Sequence, residues 1–243
     1  MLAGALCATR EKTLVKNKQR KYSLKRIAAR ITSCFSGTYW RKKKLNYAIL
    51  IPHLSKPFEE FTPREAEEFF KWYKSQIGTR IGYLQNYSGV DLNYSVYSLM
   101  DIWAWFLEIA EIEKTPAIKM KELRRELRGQ PKEIAEAVLN EQSRQFSLET
   151  EHIIRDIAMY FGEVCVRNNP SISWGYHTNK KMDSFANMPL LVGFEDRDFT
   201  PPFKAHFDPT FMIRGMAYAL FDGEQKKDDL VELYNKWQRL VHN

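Results

Sequence analysis

Residues 147–165, SLETEHIIRDIAMYFGEVC, decide the fold. Thr150, Ile153, Ile154, Ile157, Ala158, Phe161, Val164 and Cys165 recur at spacings of three and four, the signature of one helix face. Ser147 stands where an N-cap belongs, and Asn168-Asn169-Pro170 ends the run. So regular a stripe predicts a long amphipathic helix at the centre of the chain. Gly162, lying inside it, predicts that a neighbouring backbone passes close by.

Two more long helices are predicted upstream. Thr62-Pro-Arg-Glu65 combines an N-cap, a proline at the first helical position and the acid that closes a capping box. Ala66, Phe69, Phe70, Tyr73, Ile77, Ile81 and Leu84 then form one stripe, with Gly78 and Gly82 opening the helix to close packing. A second helix is predicted from about Tyr94 to Ile112, with Leu99, Ile102, Trp103, Phe106 and Ile109 inward. Asn46 to Ile51 is a short apolar run stopped by Pro52 and reads as a strand. Residues 114–146 are charged, with helical propensity on either side of Gly129-Gln-Pro131, and read as mobile helical excursions.

Downstream, Ser171 to His177 alternates as a half-buried strand does, and Met188 to Phe194 reads as its partner. Phe203 to Phe207 is a candidate third strand. Asp208-Pro209 repeats the cap-plus-proline signal, and a last helix carries Leu230, Leu233, Tyr234 and Trp237. The fold class is therefore α+β: mostly helical, with a small antiparallel sheet packed against long amphipathic helices.

Charge divides the chain. Residues 1–44 hold thirteen Lys or Arg and one acid, whereas residues 45–243 hold 24 basic and 29 acidic groups, a net of −5. The overall +7 thus belongs to a basic, flexible leader, and residues 45–243 form a single, mildly acidic α+β domain. The leader's Arg41, Lys42, Lys43 and Lys44, with a basic amphipathic stretch before them, suit nucleic acid or an anionic membrane surface. Three widely spaced cysteines, Cys7, Cys34 and Cys165, suggest neither a disulfide framework nor a zinc knuckle. No apolar run is long enough for a transmembrane segment, and no secretory signal stands at the start, so the cytoplasm is the expected compartment.

Four stretches, FTPREAEEFFKWY (61–73), SLMDIWAWFLE (98–108), IAMYFGE (157–163) with WGY (174–176), and PLLVGF (189–194), together resemble an uncharacterised family of bacterial cytoplasmic proteins. The resemblance runs from about residue 45 to 237 and leaves out the leader. It implies one folded unit and carries over no activity, cofactor or catalytic residue. Helix–strand–strand–helix domains of this kind occur among toxin-immunity and other accessory proteins, which implies an interaction role.

The candidate chemistry is sparse. His177, Asp183, His206 and Asp208 flank the predicted hairpin and could approach one another, although Asp208 also reads as a helix cap; no metal motif joins them. Glu163 stands one predicted strand away from Trp174 and Tyr176 and reads either as an acid with a raised pKa or as a structural acceptor for an aromatic or backbone donor. Trp72, beside Lys71 and Lys74, lies off its helix stripe and is a candidate anchor for a protein partner. No P-loop, nucleophile elbow or dinucleotide fingerprint occurs, and no cofactor is expected. The leading expectation is a non-enzymatic, immunity-type interaction protein that binds another protein through its acidic body. The alternatives are nucleic-acid or anionic-surface binding through the leader, and an enzyme using Glu163, His177 or His206.

Overall fold

The computed structural model describes residues 45–54, 56–178 and 185–241. The leader, with Arg41, Lys42, Lys43 and Lys44, and Asp183 of the hairpin lie outside the described residues.

The capping box at Thr62 is formed as read. Thr62 Oγ1 accepts from the Glu65 N–H at 3.3 Å, and a Glu65 carboxylate oxygen accepts from the Thr62 N–H at 2.7 Å. It opens helix α1, Pro63–Ser88, which buries Phe69, Tyr73, Ile77, Ile81 and Leu84 on one stripe. Helix α2, Val96–Ile109, follows a Ser95 cap and buries Leu99, Ile102, Trp103 and Phe106. Strand β1, Ile112–Lys114, leads into helices α3, Ala117–Glu126, and α4, Lys132–Glu141, and strand β2, Arg144–Phe146, returns antiparallel to β1. This ribbon clips the base of a two-helix arm: the helices stand on either side of Gly129-Gln-Pro131 where helical propensity puts them, and the ribbon has no counterpart in the sequence reading.

Helix α5, Leu148–Asn168, is the axis of the domain. Ser147 caps it, and from Asp156 to Gly162 every residue is buried. So continuous a buried run means neighbours on all sides, and α5 packs on α1, α2 and α6 as well as strand β3. Strands β3, Ser173–Gly175, β4, Leu190–Asp196, and β5, Phe203–Phe207, form an antiparallel sheet in the order β3-β4-β5. Helix α6, Pro209–Tyr218, is capped by Asp208, and helix α7, Asp229–Gln238, packs on α2 and sets Trp237 on Phe207 and Phe194, ring centroids 4.6 and 5.0 Å apart. The mostly helical α+β class is the one found.

Three local readings differ. Residues 46–51 form no strand, because helix side chains rather than a neighbouring strand take up their carbonyls: Ala48 O accepts from Arg80 at 2.8 Å and Leu50 O from Arg155 at 3.0 Å. Gly162 does accommodate a close neighbour, but the neighbour is a side chain: a Cβ there would lie 2.1 Å from the Trp174 indole. Gly78 and Gly82 face open space and mediate no close packing. In the sheet, Gly193 sits at a bulge with φ of 105°, where a Cβ would meet the Ser171 carbonyl at 2.1 Å.

Candidate functional site

The sequence-predicted residues scatter. Glu163 accepts from the Trp174 indole N–H at 2.9 Å and lies 3.5 Å from Arg167, an acceptor's geometry. His177 and His206 do approach, their rings 5.2 Å apart. Asp208 is not with them; its Oδ1 accepts from Thr210 and Phe211 N–H groups at 2.8 and 3.1 Å. Among the described residues no three His, Cys, Asp or Glu gather as a metal site would require. Lys71 pairs with Glu67 at 2.6 Å, and Lys74 is exposed. Trp72 is half-buried rather than a free anchor: it lies tilted against Phe69 and edge-on to His53, at 5.2 and 5.6 Å.

Sequence reading missed a buried ionic cluster. Arg80 of α1 and Asp156 of α5 are 6% and 0% exposed. Asp156 Oδ2 accepts from Arg80 Nη2 and from the Tyr47 hydroxyl, both at 2.5 Å, while Arg80 Nε spans both carboxylate oxygens at 3.1 and 3.0 Å. The guanidinium also lies over the Tyr47 and Tyr83 rings at 5.3 and 5.0 Å. Burial pushes the Asp156 carboxyl up, opposed by the hydrogen bonds from Arg80 and Tyr47. Tyr47 is likewise raised by burial and by the Asp156 charge, so its proton stays on the phenol. A signal existed: Arg80 lies three residues past Ile77, and Asp156 three past Ile153, each interrupting an apolar stripe.

One residue along α5, Arg155 turns the other way. Its Nη2 holds Leu50 O and also contacts His152 Nδ1. Burial, then the Arg155 charge, pull His152 down to about 4, so the imidazole is neutral near pH 7 and can accept. Arg155 also lines a cavity of about 230 Å³, together with Leu50, Trp72, Tyr73, Met159 and Asp208. The walls come from the 45–54 segment, Phe58, α1, α5, Met188 and Pro189 before β4, and the start of α6. Burial pushes the Asp208 carboxyl up against its two backbone donors.

The arm has a different character. Neither α3 nor α4 contains a buried residue, and Ile118 and Ile134 are 63% and 51% exposed. Two open grooves of about 460 and 470 Å³ flank Arg144 at the arm's base. Arg144 donates to Phe221 O at 2.7 Å, tying the ribbon to the 3-10 turn that follows α6. No helix among the described residues is long and apolar enough to cross a membrane. Compared with family models, curated proteins and solved structures, the chain matches none.

Proposed function

We propose that the protein is a non-enzymatic, immunity-type accessory protein that engages another protein through the α3–α4 arm. One observation carries this reading: neither of the two ten-residue helices contains a fully buried residue, and Ile118 and Ile134 stay exposed. Helices so short gain little stability from propensity alone, and here tertiary packing adds little. A partner laid along them would supply the missing contacts. The charge pattern favours a basic partner on α4, which carries three Glu and one Lys around exposed Ile134. The net −5 of residues 45–243 favours the same sign. The commitment of Glu163 to Trp174 weighs against a general acid at that position.

The test is affinity purification of the full chain beside Glu133→Lys/Ile134→Asp/Glu136→Lys. A stoichiometric protein partner is expected with the first and not the second, at equal melting temperature. The second reading rests on the thirteen basic residues of the leader. It is favoured instead if the bound material is nucleic acid or anionic lipid, is released steeply by salt, and is lost on deleting residues 1–44 while the arm variant retains it.

A further inference from the structure

The arm leaves the body on α3, turns at Gly129 with φ of 93°, and returns on α4. Its charges are sorted by helix. Helix α3 carries Lys119, Lys121, Arg124 and Arg125 against Glu122 and Glu126, a net of +2. Helix α4 carries Glu133, Glu136 and Glu141 against Lys132, a net of −2. All of these side chains are exposed. The two helices touch, yet among the described residues no ion pair joins one to the other. The pair that does form, Lys132 with Glu136 at 3.7 Å, runs along α4 itself. Both signs are therefore left for a surface outside the arm.

Each helix also offers an aliphatic side chain amid its charges. Ile118 is 63% exposed, with Lys121, Glu122 and Arg125 at helical spacing beside it. Ile134 is 51% exposed, next to Glu133 and two turns before Glu141. The better-covered apolar residues, Met120 and Leu123, are still only half-buried and line the groove of about 460 Å³.

Charge identifies what covers these faces. A partner of one sign that satisfies α4 is repelled by α3 beside it. A second copy of this chain, turned about a two-fold axis, brings both signs in matched order: its α3 meets α4, and its α4 meets α3. Every attraction is then made twice, and each Ile118 meets an Ile134. Ten residues make about 15 Å of helix, and two helices side by side are about 20 Å wide. Such a face is roughly 300 Å² on each copy, well under the ~800 Å² per partner of a stable complex. The pairing is thus weak and reversible.

We propose that two copies of this chain pair arm to arm, with α3 of each laid on α4 of the other. This goes beyond the reading of a basic protein partner on α4. The second copy's α3 is itself a basic helix, and it holds that place until a tighter-binding partner displaces it.

The test is sedimentation equilibrium of the purified full chain over a wide concentration range. A monomer–dimer equilibrium is expected, weakening as salt is raised. Glu133→Lys/Glu141→Lys turns α4 from −2 to +2, and Lys121→Glu/Arg125→Glu turns α3 from +2 to −2. Both pairs of residues are exposed, so the melting temperature is expected to stay within a degree or two of wild type. Each variant alone now opposes like charge to like and is expected to dimerise at least tenfold more weakly. Mixed in equal amounts, the two variants restore every attraction and are expected to recover the wild-type strength as a heterodimer. A chain that is monomeric throughout, a dimer that both variants keep at full strength, or a mixture no tighter than its components overturns the proposal. The two readings also fail separately. A monomeric chain that still captures a basic protein from cell extract overturns this inference alone, and a charge-dependent dimer that captures none supports it while removing the other.

Discussion

Helix α5 and the α3–α4 arm use about the same number of residues to opposite ends. Twelve of the 21 residues of α5 are buried, and none of the twenty in α3 and α4 is. Both regions carry apolar residues at helical spacing: Ile153, Ile157 and Phe161 in the one, Ile134 and Val138 in the other. Periodicity therefore marks which face of a helix could be covered, and position in the fold decides whether it is. Helix α5 has three helices and a strand around it, whereas the arm has its ribbon and its own two members.

The contrast is broken most directly at Asp156. Asp156→Ala leaves the Arg80 guanidinium buried without its counter-ion and is expected to cost about 3–5 kcal/mol by denaturant unfolding. Arg80→Met/Asp156→Leu together should recover most of that loss. A single variant as stable as the wild type would show that α5 is not the closed interior described. Gly162→Ala comes next. Its methyl would overlap the Trp174 indole, with an expected cost in the upper part of the ~1–3 kcal/mol range for overpacking.

A smaller effect is expected from His152. Its ordinary value is 6.5 and its folded value about 4, so below pH 6.5 the unfolded chain takes a proton that the folded chain refuses. That contribution is complete above pH 6.5 and is lost as pH falls toward 4. It amounts to about 2 kcal/mol once partial solvent access is discounted. His152→Gln should flatten this part of the melting-temperature profile against pH. The arm should respond least: Ile118→Ser and Ile134→Ser are each expected within ~0.5 kcal/mol of wild type. Hydrogen exchange should show the same order, with arm amides opening locally and α5 amides only on global unfolding.

Much of the fold was legible where the information is local. The caps at Thr62, Ser147 and Asp208 and the stripes they open were read from adjacent residues, and each element stands where it was placed. The failures share a cause. Residues 46–51 look like a strand because an apolar run is silent about what meets its carbonyls, and two arginines on distant helices meet them. Strands β1 and β2 are three residues each and pair across the whole arm, too short and too far apart for alternation to register. Of the candidate site residues, the His177 and His206 pairing was within reach of the hairpin reading. The cavity was not, since its walls come from six separate segments. Arg80 and Asp156 were the readable omission, for each is a charge on a face that otherwise repels charge.

The Arg80–Asp156 pair also sets an order on synthesis. The guanidinium leaves the ribosome 76 residues ahead of the carboxylate that neutralises it. Until then α1 cannot close an interior without enclosing a lone cation, so the N-terminal half must wait, open and hydrated, for α5. The domain is thereby timed to condense late, around the helix that brings the anion, and a nascent chain halted in the arm would have no compact state to fall into.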